Sequence, residues 1–145
     1  MGKQVNNLDV IRRMFKEDVF ARALGIELDE INCDSVKMHM ELQEKHVNFY
    51  NRPHGGAIYS LADAAFSVIG NNENIRSVAI ECSISYHYSP DVGDILHVDG
   101  KKVAQSRRIG TYLFEVYVLK DDKKILVATM KSTLYRTGKP IIDDD

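Results

Sequence analysis

The sequence predicts an α+β domain in which an antiparallel sheet of about six strands curls around one long central helix, with an amphipathic helix ahead of it. Three observations predict it. The run Gly55 to Gly70 is apolar on nearly every side, with Asp63 its only charge, so other elements have to enclose it. Segments on both sides of that run alternate apolar and polar residues with the period of a half-buried strand. The gaps between these segments are too short for crossover helices, so neighbouring strands are expected to be antiparallel.

Leu8, Ile11, Phe15, Val19 and Ala23 recur at helical spacing and Gly25 stops the run, which predicts a single first helix. Ile26 and Leu28 begin a strand. Its partner follows, where Val36, Met38, Met40 and Leu42 alternate with Lys37, His39 and Glu41. Residues 43 to 54 read as a loop with Pro53 marking its end. After the helix, four more strands are expected near 77–88, 94–105, 111–120 and 124–135. Gly93-Asp94, the stretch 108–110 and Asp121-Asp122-Lys123 connect them. Residues 139–145 read as a frayed tail.

The 145 residues make one domain, 1–145, with no repeat or linker. A net charge of -2 argues against a nucleic-acid binder, which would carry a basic stripe. No apolar run reaches the roughly 18 residues of a membrane span, and Met1-Gly2-Lys3-Gln4-Val5-Asn6 has neither a signal core nor a myristoylation pattern. Cys33 and Cys82 form no CxxC pair, so reduced thiols and a cytoplasmic chain are expected. His39, His46, His87 and His97 lack metal-ligand spacing and read as surface or satisfied residues; neither metal nor cofactor is expected.

The chemistry concentrates in Asn48-Phe49-Tyr50-Asn51-Arg52-Pro53-His54-Gly55-Gly56, which leads into the helix carrying Asp63. A Gly-Gly helix start leaves backbone N–H groups unpaired with nothing bulky beside them, and the helix dipole makes them a seat for a carbonyl oxygen turning into an oxyanion. Gly56 and Asp63 are seven residues apart, about 10 Å along a helix, so Asp63 cannot easily serve an electrophile held at its own helix start. It can serve one held by a second copy. Antiparallel helices about a two-fold axis bring each Asp63 toward the other's Gly56, so the spacing favours a homodimer with shared sites.

The pattern Asn48-x5-His54-Gly55-Gly56-x6-Asp63, with Leu61-Ala62-Asp63-Ala64-Ala65-Phe66, resembles the hotdog-fold acyl-CoA thioesterases of the phenylacetate-degradation type. Ala23-Leu24-Gly25-Ile26 and Ser85-Tyr86 followed by Gly93-Asp94 extend the resemblance over nearly the whole chain. It implies a sheet wrapped round the helix, dimers that pair their sheets, often tetramers, and hydrolysis of acyl-CoA to acid and CoA. By position, Gly56 and also Gly55 would polarise the carbonyl, and the partner's Asp63 would be nucleophile or general base. Asn48 would hold water or thioester, and His54 would shape the turn near the sulfur. The chain departs from the pattern at His87-Tyr88-Ser89-Pro90, where proline comes one place late, and at Ala79, where some relatives have Ser or Thr.

Each reading has a plainer rival: Asp63 as a structural carboxylate, Asn48 as a turn cap, Tyr86 and Tyr88 as core or interface packing. Lys101, Arg107 and Arg108, with Lys102, suit the CoA phosphates, yet short basic clusters at strand ends are usually solvated turns. Two other functions compete on this fold: a non-catalytic acyl-CoA sensor and a hydratase or dehydratase. The retained Asp63 disfavours the sensor, and the His54–Asp63 spacing fits the hydratase poorly. The acyl group, whether aryl, short or medium chain, stays open, as does dimer versus tetramer.

Overall fold

The protein is described here by a computed structural model covering residues 6–141. It opens with two helices, α1 (Asn7–Lys16) and α2 (Val19–Leu24), where the sequence predicts one. Asp18 makes the difference. Its side chain accepts a 2.9 Å hydrogen bond from the Ala21 N–H and starts a new helix out of phase with the first. Val19, expected on the buried stripe, is 79% exposed, and Ala21 is buried instead. Gly25 closes α2 at φ 81°, a left-handed cap free of Cβ strain.

The strands are β1 (Ile26–Ile31), β2 (Ser35–Glu41), β3 (Ile75–Tyr86), β4 (Ile95–Gln105), β5 (Ile109–Lys120) and β6 (Lys123–Pro140); the central helix is α3 (Gly55–Gly70). They form one sheet in the order β1-β2-β4-β5-β6-β3, and every neighbouring pair is antiparallel. This is the expected hotdog arrangement, with α3 lying across β2, β4 and β5. The predicted loop holds one 3-10 turn, Glu44–His46. The expected frayed tail is corrected in part: Lys139 and Pro140 belong to β6, where Ile75 pairs with Pro140 and the Thr137 hydroxyl donates to the Arg76 carbonyl at 2.7 Å. Expectations about Met1–Val5 and Ile142–Asp145 fall outside the described residues.

Alternation in β2 delivers Val36, Met38 and Met40 to the interior, where they meet Leu61, Ala65 and Ile69 of α3 in the same core as Leu96, Val98 and Val116. Burying each large aliphatic side chain contributes about 1.5–3 kcal/mol before entropy is counted. The enclosure of α3 is incomplete, which corrects the reading of an apolar helix buried on every side. Gly56, Ser60, Asp63 and Ser67, spaced four, three and four apart, form one stripe that the sheet leaves partly uncovered. Among the described residues no helix is long and apolar enough to cross a membrane.

Gly100 lets β4 pass under the Phe114 ring: a Cβ there would lie 2.6 Å from Phe114 and 2.9 Å from Val36. Gly100→Ala is therefore expected to cost about 1–3 kcal/mol through overpacking. Urea unfolding should record it as a lower midpoint at unchanged slope.

Candidate active site

The loop before α3 is closed around Asn48. Its Oδ1 accepts hydrogen bonds from the Tyr50 N–H at 2.9 Å and the Arg52 N–H at 3.2 Å, and its own N–H donates to the Arg52 carbonyl at 2.8 Å. Asn51 turns the chain at φ 61°, and Val47 pairs with Pro53 across the neck. His46 ties the loop to the rest of the fold. Its Nδ1 accepts from the Gln43 N–H, so the proton sits on Nε2, which donates to the Leu24 carbonyl; both distances are 2.9 Å. Burial holds the His46 pKa below the ordinary histidine value.

Arg52 fastens this loop to the segment after β3. Its Nε donates to Ser89 Oγ at 3.1 Å, one terminal nitrogen donates to Asp91 at 2.9 Å, and the other donates to the Ser89 and Pro90 carbonyls at 3.0 and 2.7 Å. Lys120 completes the clamp with ion pairs to Asp91 and Asp94. Between the two fastened segments lies a cavity of about 330 Å³ walled by Pro53, Gly55, Ile58, Tyr86 and Tyr88.

At the helix start the His54 imidazole accepts from the Gly56 N–H at 2.7 Å, and the His54 carbonyl accepts from the Ala57 N–H at 2.9 Å. Gly55 is left with the one first-turn N–H that has no partner among the described residues. Its carbonyl accepts from the Tyr86 hydroxyl at 2.9 Å, and a Cβ on it would meet the Tyr86 ring at 3.4 Å. The sequence reading put Gly56 first as the oxyanion donor; the imidazole already occupying that N–H turns attention to Gly55.

Asp63 sits half-buried on the uncovered stripe, and its carboxylate has no hydrogen bond or ion pair among the described residues. Burial first, and then the charge of Asp18, raise its pKa above the ordinary carboxylate value. One turn earlier the Tyr59 hydroxyl is pushed up to about 12, chiefly by its hydrogen bond to Cys82, then by burial and by the neighbouring charges of Cys82, Asp63 and Tyr86. No cation is among the groups that shift Asp63. An unpaired carboxylate in such a place is disposed toward accepting a proton or attacking an electrophile.

A single chain thus brings Asn48, His54, Gly55 and Gly56 together and leaves Asp63 about 12 Å along the helix from Gly55. Lys101, Arg107 and Arg108 lie toward the other end of α3, where Lys102 pairs with Glu73 at 3.1 Å just past the helix. Arg108 is engaged there with the Thr137 carbonyl and the Tyr135 ring. Ser77 donates its hydroxyl to the Ile75 carbonyl, and Ala79 is exposed. Among the described residues no three His, Cys, Asp or Glu side chains are placed to hold a metal ion.

Residues 50–125 match the thioesterase superfamily. This chain belongs to that family. A candidate esterase of Archaeoglobus fulgidus is 34% identical over 126 residues, 87% of this chain and 80% of that protein. The acyl-coenzyme A thioesterase PaaI of Escherichia coli is 27% identical over 128 residues, 88% of this chain and 89% of that enzyme. The structure of Escherichia coli PaaI, from the phenylacetic acid degradation operon, superposes with TM-score 0.84 at 26% identity, covering 96% of this chain and all of that one. A Streptococcus mutans protein solved with acetyl-CoA superposes with TM-score 0.72 at 26% identity, covering 79% of this chain and 90% of that one.

For this thioesterase-superfamily member the sequence reading missed Arg52 as a clamp and Asp18 as the charge facing Asp63. Asp18 carried a signal, an N-cap residue directly ahead of Val19-Phe20-Ala21. Arg52 carried none, because its partners lie 37 to 39 residues away. Arg52→Ala is expected to speed amide hydrogen exchange at Tyr50 and Arg52, whose N–H groups the closed turn now protects.

The raised pKa of Asp63 means that folding favours its protonated form. The resulting cost to stability is absent below pH 3.8, the ordinary value, and grows as pH rises through the raised value. Asp63→Asn should therefore raise Tm at pH 7 by about 2–4 °C, with the gain vanishing in acid, as read by calorimetry across pH.

Proposed function

We propose that this chain is an acyl-CoA thioesterase that releases the free acid and CoA, working as a homodimer whose sites are shared between subunits. The observation that carries the reading is the pairing of two unsatisfied groups: the free Gly55 N–H at a helix start and the unpaired, half-buried carboxylate of Asp63. The first suits the oxygen of a thioester carbonyl, the second its carbon or an attacking water. The relatives named for acyl-CoA hydrolysis and the acetyl-CoA complex support the same substrate class.

In this reading Gly55 polarises the carbonyl, and the Gly56 N–H joins when the imidazole swings aside. His54, accepting at Nδ1, keeps its proton on Nε2, where it can donate toward the leaving sulfur. Asn48 spends its oxygen on the turn and offers its amide N–H groups to water or thioester. The partner's α3, antiparallel to this one, supplies Asp63 as nucleophile or general base. The same two-fold operation carries the partner's 105–109 hairpin toward this Gly55, so Lys101, Arg107 and Arg108 would reach the CoA phosphates across the interface.

The pairing edge proposed is β3. It is a twelve-residue strand at the sheet margin, with Val78 48% and Ile80 58% exposed, and so long an apolar edge invites a second copy. Exposed Phe49 and Tyr50, their rings tilted at 43° with centroids 4.3 Å apart, favour further assembly to a tetramer. Unpaired Cys33 and half-buried Cys82 favour a cytoplasmic setting.

The test is CoA thiol release from aromatic, short and medium acyl-CoA thioesters. Asp63→Ala is expected to lower kcat/KM by about 100-fold or more, and the parent's rate should fall on an acid limb above the ordinary carboxylate range. Saturable binding without thiol release by the parent would favour the sensor instead. Heterodimers of a Gly55→Pro chain with an Asp63→Ala chain should regain one intact site; no recovered activity in verified heterodimers would reject the shared arrangement.

A further inference from the structure

Beyond Asp63 along α3, toward its C-terminus, lies a second cavity of about 280 Å³ that the functional reading has not used. Ile11, Met14 and Phe15 of α1, Val68 of α3 and Ile141 make its apolar wall. Four polar residues line it: Asp18, Ser67, Asn71 and Arg76, of which Asn71 spends its side chain on the Ser67 carbonyl and the Ser77 N–H. Ser67 stands one helical turn beyond Asp63, and Asp18 is the charge Asp63 feels, so both mark the end nearest the carboxylate. Arg76 lines the cavity from the start of β3, next to Ser77, whose N–H donates to the side chain of Asn71 at the C-cap of α3 about two turns beyond Asp63, so it belongs to the far end.

Arg76 reaches the cavity from the first stretch of pairing between β3 and β6. Between the Ile75–Pro140 and Ser77–Arg136 pairs β3 advances two residues and β6 four, so the extra residues, 137–139 with Gly138 at φ 75°, bulge on β6, and Arg76 keeps the alternation of β3 on the face opposite Ile75 and Ser77. Its backbone is held by the 2.7 Å hydrogen bond from Thr137, while its guanidinium has no ion pair or hydrogen bond among the described residues. Asp18 forms no ion pair with it among the described residues, and one Asp18 oxygen is committed to the Ala21 N–H. A fork of donors at the end of an apolar slot is suited to a carboxylate on a short apolar stem.

We infer that this cavity is the acyl pocket and that Arg76 selects compact acyl groups ending in a carboxylate, a reading that rests on the proposed thioesterase activity. Volume sets the size class. A cavity of about 150 Å³ already holds benzene, so this one takes a ring or a four- to six-carbon chain with its terminal group, and not a long fatty chain. Arg76 is exposed at the cavity's edge, so its guanidinium stays hydrated beside a methyl-ended chain and gains an ion pair only from a carboxylate-ended one.

The experiment compares matched thioesters in one assay: glutaryl-CoA against pentanoyl-CoA, and 4-carboxybenzoyl-CoA against 4-methylbenzoyl-CoA. The parent should prefer the carboxylated member of each pair by about threefold or more in kcat/KM, the scale of one solvent-exposed ion pair. Arg76→Gln should collapse that ratio toward one, Arg76→Lys should keep part of it, and Arg76→Glu should invert it. A ratio cancels differences in folded fraction. Calorimetric titration of Asp63→Asn protein, with and without Arg76→Gln, reads the same preference as binding whatever becomes of turnover. A parent without the preference, or a preference that Arg76→Gln leaves intact, overturns the inference. Absence of thiol release from all four thioesters would instead count against the thioesterase reading, and the titration would still decide the pocket.

Discussion

The fold depends on how much of α3 the sheet can cover. A sixteen-residue helix with nine buried positions cannot stand in water, and six antiparallel strands curl to enclose it. A sheet curls around a cylinder from one side only, so a stripe of the helix stays uncovered, and Gly56, Ser60, Asp63 and Ser67 occupy that stripe. The residues are small or polar because neither sheet nor solvent claims them fully. Asp63 inherits both conditions: enough protein around it to raise its pKa, and enough opening to meet another molecule.

The same helix makes the second half of the site. Its first turn has donors that no carbonyl of the helix can accept, and two consecutive glycines keep side chains away from them. His54 takes one donor and its own carbonyl takes another, which leaves Gly55. The loop that delivers His54 is held by three anchors: the Asn48 turn, the buried His46, and the Arg52 clamp onto Ser89, Pro90 and Asp91. Pre-organisation of that kind keeps a donor aimed at a point in space without help from bound substrate. Because donor and carboxylate share one rigid rod, their separation is set by helical rise, and that is the physical ground of the proposal that two chains share a site.

Much of the molecule was legible beforehand. Strand alternation around Val36 to Leu42 identified a half-buried strand, and the apolar run to Gly70 identified the central helix, because side-chain periodicity is written in the chain itself. Misreadings arose where two local signals competed. Helical spacing carried Val19 into the first helix, but the Asp18 cap reset the phase. Lys139 and Pro140 looked like a tail because β6 there is held by Ile75, some sixty-five residues distant in sequence.

The sequence by itself determined the hotdog class, the loop and helix that carry Asn48, His54, Gly55 and Asp63, and the membership in the thioesterase superfamily that the comparisons bear out. These are readings of local spacing, which backbone geometry converts directly into position. Only the tertiary structure decided which glycine keeps a free N–H, that Arg52 binds its loop to the segment after β3, that Asp18 faces Asp63, and that Arg76 lines a cavity beside α1 and α3. Each of those depends on side chains meeting across long stretches of sequence, or on which of two acceptors reaches a donor first. Packing settles such contests, and no periodicity records their outcome.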